Sequence, residues 1–176
     1  GKNVPQSIAD YLPDSVGLQE CEGTWYMSLE TYLKDRYDIV GVGRSQDWNS
    51  HGIEHELSGL YDVAHGAGLA VVMPAWMDFV MNHDVMRFAQ MAVRVWGCEM
   101  NFENPEATAK AGIKEFRKFL RSIGMPINFT ELGAKAEDIP LLVEKHGLGD
   151  GKTGGFVQLS AADVSEILNI AVKAEI

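Results

Sequence analysis

Cysteine is scarce: Cys21 and Cys98 are the only thiols among 176 residues. They lie far apart, form no CxxC pair and sit in apolar surroundings. A disulfide framework is therefore excluded and buried thiols are expected. Long apolar runs are also lacking. The most apolar stretch, Gly66 to Val80, carries Pro74 and Asp78 and is too short to cross a bilayer. No apolar core follows Gly1-Lys2-Asn3-Val4-Pro5, so no signal peptide is read, and a cytoplasmic protein without a membrane partner is expected. The opening glycine, where a methionine would start a gene product, points to a tag scar or an internal start.

Positive charge is in short supply too, with 15 Lys and Arg against 25 Asp and Glu and a formal net charge of −10. A nucleic-acid partner needs a basic stripe, so that class is excluded. The densest basic stretch, Lys114, Arg117, Lys118 and Arg121, is interleaved with Glu115. Its spacing predicts the solvated outer face of one helix. Internal repeats, low-complexity tracts and strand-like alternation are all missing.

What is present is an ordinary globular balance, 46% hydrophobic and 23% charged, enough to bury a sizeable core. The apolar residues recur at helical spacing. Leu18, Cys21, Trp25, Leu29 and Leu33 form one stripe, which Gly41 and Gly43 interrupt. A second helix is predicted from about Asp47 to Tyr61, capped by Ser45 or Asp47. Gly66 to about Met81 is apolar nearly all round and should be central, with Pro74 bending or breaking it.

A further helix runs from Asp84 to Trp96, and Gly97 stops it. Asn104-Pro105-Glu106 is a start signal: a cap, a proline in the first turn and an acid near the positive end of the dipole. That helix ends at Gly124 and Pro126. A shorter helix from about Asp138 to Lys145 is closed by Gly147. Residues 147 to 155 form a glycine-rich loop. Ser160-Ala161-Ala162-Asp163 reads as a capping box, with Asp for Glu, that opens the last helix through Ile170. The fold class that follows is all-α, a bundle of six to eight helices.

Four of the five histidines, His51, His55, His65 and His83, are packed into a third of the chain. His51 and His55 are four apart and share one helix face. His65 lies just beyond that helix, at a turn that folds the chain back toward them. Neutral imidazoles converging in a helical core can bind Fe²⁺ or Zn²⁺, with water and a carboxylate completing the set. The same pair also occurs as polar decoration of a helix, and spacing alone leaves both readings open. His83 reads as a cap-region residue. His146 precedes Gly147 at a helix end, where the dipole favours an imidazolium.

The run from Gly43 to Ser58, containing His51-Gly52-Ile53-Glu54-His55, resembles the iron-containing (group III) alcohol dehydrogenases. The nearest branch is that of the butanol-dehydrogenase-like, NAD(P)H-dependent aldehyde reductases. Tyr61-Asp62-Val63-Ala64-His65-Gly66, Pro74-Ala75-Trp76-Met77, Arg94-Val95-Trp96-Gly97, Ile123-Gly124-Met125-Pro126 and Leu159-Ser160-Ala161-Ala162-Asp163-Val164 fit as well. The likeness covers about residues 40 to 176. Residues 41–176 are accordingly read as the helical metal-binding domain, and residues 1–40 as a helical segment of unclear origin.

The resemblance implies an N-terminal α/β domain that binds the nicotinamide cofactor and a C-terminal helical domain that supplies the metal site. It implies Fe²⁺ or Zn²⁺ held by one Asp and three His, two of these ligands being His51 and His65. His55 matches the histidine near the nicotinamide and the alcohol, linked to proton relay. The implied partners are NAD(P)H and a small alcohol or aldehyde. The family's other two ligands form an Asp-x3-His pair further upstream, but residues 1–40 contain no histidine, and Asp47-x3-His51 reuses His51. The glycine-rich phosphate-binding segments are missing too. The chain alone is therefore expected to bind metal weakly and to transfer no hydride.

Two other readings remain. His51-x-x-Glu54-His55 matches an inverted zinc-protease motif, with Glu54 as base and Glu131 as a distant third ligand. Alternatively, the apolar helix from Gly66 to Met81 stays partly exposed and makes the chain a non-catalytic assembly domain or a homo-oligomer.

Overall fold

The structure is a computed structural model that describes residues 47–176. The stripe from Leu18 to Leu33, Cys21, the candidate cap Ser45 and the segment 1–40 lie outside those residues. Helix α1 runs Asn49–Tyr61 and α2 runs His65–Val80, followed by a 3-10 turn at Met81–His83. Helices α3, Val85–Trp96, and α4, Pro105–Ser122, come next. Then follow α5, Phe129–Leu132, a 3-10 turn at Ala136–Asp138, α6, Ile139–His146, and α7, Ala161–Val172. Seven α-helices and no named strand make the described residues all-α, with a single isolated bridge between Thr153 and Leu159.

Local chemistry sets most boundaries. The Asn104 side chain accepts the Ala107 N–H, and Pro105 opens α4 where its missing N–H costs nothing. The Ser160 hydroxyl accepts the Asp163 N–H while Asp163 receives the Ser160 N–H, a complete capping box. The hydroxyl and N–H of Ser160 hold the Asp163 carboxyl below the usual carboxylate range. Gly97 and Gly147 end α3 and α6 in the left-handed conformation that a glycine adopts without strain. The four-residue α5 was not expected. Asn128 caps it by accepting the Glu131 N–H, and Gly133 closes it.

Helix α2 is the axis of the unit and packs against α1, α4 and α7. Val71, Val72, Ala75, Met77 and Val80 are buried along it, beside Ile53 and Leu57 of α1 and Ile167 and Leu168 of α7. Each such large aliphatic side chain contributes about 1.5–3 kcal/mol by leaving water. The helix runs unbroken through the buried Pro74, so the expected break does not occur. Its neighbours hold it in register on three sides, and proline tilts a helix without ending it when packing supplies the rest.

From Ala67 to Val80 no residue of α2 is exposed, so the expected uncovered apolar face is not on this helix. Most of the exposed large apolar side chains fall instead on and around α3 and α4, among them Met86, Val95, Phe102 and Phe119.

The basic stretch of α4 is not uniformly outward. Arg117 is buried and pairs with Asp78 of α2 at 2.5 Å, while Lys118 faces solvent and pairs with Glu115 at 2.6 Å. An ion pair fixes the α2–α4 contact that spacing alone assigned to water. At the other end of α1, the Tyr61 hydroxyl donates to Asp138 at 2.5 Å and accepts the Lys135 N–H at 3.0 Å. Burial and the Asp138 carboxylate push the Tyr61 phenol above its ordinary value.

Candidate metal centre

Two helix starts build the site. In α1, Asp47 accepts the Asn49 N–H at 2.8 Å, and the helix carries His51 and His55 one turn apart on one face. Asp62 follows α1 in the left-handed conformation, at φ 53°, so the chain reverses sharply. An aspartate tolerates this better than most residues with a side chain. His65 is then the first residue of α2, brought back alongside α1.

The ring of His65 lies 5.5 Å from that of His51 and 5.3 Å from that of His55, centroid to centroid. Trp48 meets His51 edge-on at 4.9 Å, and Ser50 Oγ is 3.4 Å from His51 Nδ1. His55 and His65 are exposed, whereas His51 is half-buried with its Nε2 covered, so the rings stand at the surface of the unit and not in its core. The reversal between α1 and α2 thus brings His65 alongside His51 and His55. His83 ends the 3-10 turn, edge-on to Phe156 at 4.9 Å. His146 closes α6 as expected and also packs its ring over Gly52, where an added Cβ would come within 3.0 Å of it.

Beneath the rings lies a group to which the sequence reading gave only a protease role. Glu54 is completely buried. Ser58, one turn on, donates its hydroxyl to Oε1, and Oε2 meets His65 Nδ1. Gly68, one turn into α2, makes the room: a Cβ there would sit 2.7 Å from Glu54 Cγ and 2.9 Å from Cδ. Spacing held a clue, since Ser58 stands four residues after Glu54 and Gly68 three after His65. With both oxygens engaged under the surface, this carboxylate is not free to act as a protease base. Glu131 is also committed, to Arg121 and to the Ile127 N–H.

Donor atoms of Glu54, His55 and His65 lie within 4.8 Å of one another, the one such metal-capable group among the described residues; it contains His65 of the two expected ligands but not His51. Imidazole nitrogens with a nearby carboxylate suit Fe²⁺ or Zn²⁺, so the donor chemistry fits a divalent transition metal. A closed tetrahedral shell needs about four ligands, and the open face leaves positions for others.

Comparison with known proteins decides the family. The model of the Fe-containing alcohol dehydrogenase family, C-terminal, matches residues 33–172. This chain belongs to that family. It is 34% identical over 131 residues to NADH-dependent butanol dehydrogenase A of Clostridium acetobutylicum, covering 73% of this chain and 33% of that protein. It is 29% identical over 113 residues to the NADPH-dependent aldehyde reductase YqhD of Escherichia coli, covering 62% and 29%.

Among solved structures, NADH-dependent butanol dehydrogenase A of Thermotoga maritima superposes with a TM-score of 0.66 at 36% identity, over 72% of this chain and 33% of that one. The chain thus spans about a third of the length of the relatives it matches, and in this family it corresponds to the helical C-terminal part. No described helix is long and apolar enough to cross a membrane.

Proposed function

We propose that this helical unit supplies part of a divalent-metal centre at which an alcohol or aldehyde exchanges hydride with NAD(P)H. His51 and His65 are the metal ligands in this reading, and His55 serves the proton near the nicotinamide and the alcohol. One observation carries it: the His65 ring at the start of α2 stands 5.5 Å from that of His51 and 5.3 Å from that of His55, both on α1. A bound Fe²⁺ or Zn²⁺ would supply Lewis-acid polarisation of the carbonyl or alkoxide oxygen, while the nicotinamide carries the hydride.

The chain's own residues do the rest. His51 and His65 sit on two packed helices, which hold their rings at a fixed separation of 5.5 Å, and they would be the residues that hold the metal. His55 is exposed and one turn from His51, placed to take the hydroxyl proton as alcohol becomes aldehyde and to return it in reduction.

Two imidazole ligands bind weakly, so the 176-residue chain by itself should take up Zn²⁺ with low affinity and oxidise no NAD(P)H with butyraldehyde. A Zn²⁺ titration followed by NMR tests this. The His51 and His65 ring signals should move together and saturate. His51→Ala or His65→Ala should abolish the response, and His55→Ala should leave it. Rings that never respond to Zn²⁺ would remove the reading. Tight one-to-one binding would overturn the expected weakness.

A second reading, assembly of copies through an apolar surface, draws on Met86, Val93, Met100 and Phe102, which line a shallow groove with Arg87 and Arg94. Phe102 is 85% exposed, enough to favour association if partnered. Sedimentation showing only monomer at high concentration would dismiss it.

A further inference from the structure

We infer that Glu54 is a positioning residue: its buried carboxylate takes the Nδ1–H of His65 and so fixes which nitrogen of that imidazole faces outward. The inference rests on the reading of His65 as a metal ligand. A neutral imidazole carries one N–H and one lone pair, and the hydrogen bond made by one nitrogen decides what the other offers. With Oε2 of Glu54 against Nδ1, the proton resides there and Nε2 keeps the lone pair. The ring itself is 45% exposed while the carboxylate is fully covered, so the outward nitrogen faces the open site and the inward one faces protein.

Three features show that this carboxylate is held in place. Its second oxygen receives the Ser58 hydroxyl, which removes its freedom to rotate away from His65. Its stem lies against Gly68, and a Cβ at that position would overlap Cγ and Cδ. Its exposure is 0%, and a carboxylate is kept in such a place only when its oxygens are satisfied. Direct ligation by Glu54 would compete with the contacts that its two oxygens already make to His65 and Ser58. Orientation of a ligating histidine by a carboxylate behind it is a recurring second layer of metal sites, and its removal lowers metal affinity about 10–100-fold.

The test combines imidazole ¹⁵N spectra of the metal-free chain at pH 8 with Zn²⁺ titrations. In the unaltered chain, His65 should be the Nδ1–H tautomer. Glu54→Gln and Gly68→Ala, the latter displacing the carboxylate without touching any imidazole, should convert His65 to a tautomer mixture and weaken Zn²⁺ binding at least about tenfold. Circular dichroism should report unchanged helicity in both.

An Nε2–H tautomer of His65 in the unaltered chain overturns the inference without any variant. Unchanged tautomer and affinity in Glu54→Gln also overturn it. If His65→Ala abolishes Zn²⁺ binding in that case, the ligand reading survives and only the role of Glu54 falls. If His65→Ala leaves Zn²⁺ affinity untouched, the ligand reading itself is lost, whatever the tautomer. Should Glu54→Gln remove Zn²⁺ binding as completely as His65→Ala while His65 is Nε2–H throughout, the carboxylate is a ligand and not a positioning group.

Discussion

The α1–α2 contact and the α3–α4 contact use the same device for different ends. In each, a glycine lets its neighbour come closer than any side chain would allow. Gly68 of α2 makes room for the carboxylate of Glu54, and Gly112 of α4 makes room for Ala92 of α3, whose Cα would lie 2.7 Å from an added Cβ. The first close approach buries an ionisable group next to an imidazole. The second brings two small residues together so that α3 and α4 run in contact along their length. A glycine is thus a packing element in one place and part of a chemical site in the other. Which it is depends on the partner, and the glycine alone does not tell.

This contrast predicts that damage to the apolar contact will be read in stability and not in the imidazoles. The largest effect should come from Ile113→Ala. Ile113 is fully buried in α4, and the cavity should cost about 2–5 kcal/mol in chemical denaturation. The His65 ring signals of the folded protein should stay where they are; a shift would show that the two contacts are coupled.

Gly112→Ala should cost less, about 1–3 kcal/mol, since overpacking is relieved by a small separation of the helices. Thermal unfolding should show a Tm lower by several degrees, and an unchanged Tm would mean that the helices do not touch as closely as the geometry requires.

The smallest effect lies outside both contacts. Ser160→Ala should remove about 1 kcal/mol by undoing the cap of α7. Because the folded-state pKa of Asp163 is lowered, its contribution to stability is complete above its ordinary value of 3.8 and fades as pH falls through the lowered one. Ser160→Ala should flatten that part of the acid unfolding curve. A curve of unchanged shape would deny the Asp163–Ser160 link.

Helix starts and stops were legible in the sequence because their causes are local. Asn104 with Pro105, Gly97, Gly147 and the Ser160–Asp163 pair act within a turn of where they stand. The approach of His65 to His51 and His55 was legible for a similar reason, since one helix and one tight reversal bring the rings alongside; that they stand at the surface and not in the helical core was not. What escaped depended on partners far along the chain. Arg117 looks like any surface cation until Asp78, 39 residues earlier, is placed beside it. Pro74 looks like a break until the neighbours packed around α2 are known. Glu54 reads as a base beside a histidine pair. Its burial under His65, and the space left for it by Gly68, depend on how α1 and α2 are set against each other.

One further contact spans most of the unit. The Asp47 carboxylate that receives the Asn49 N–H also receives the N–H groups of Gly155 and Phe156, the latter 109 residues downstream. The Phe156 ring in turn lies against Trp76, His83 and Phe88, with the Arg87 guanidinium 5.3 Å above it. The first turn of α1, from which His51 projects, is therefore moored to a strap laid across α2 and α3. The first turn of α1, and with it His51, is thus anchored in part by a segment that contributes no atom to the imidazole cluster.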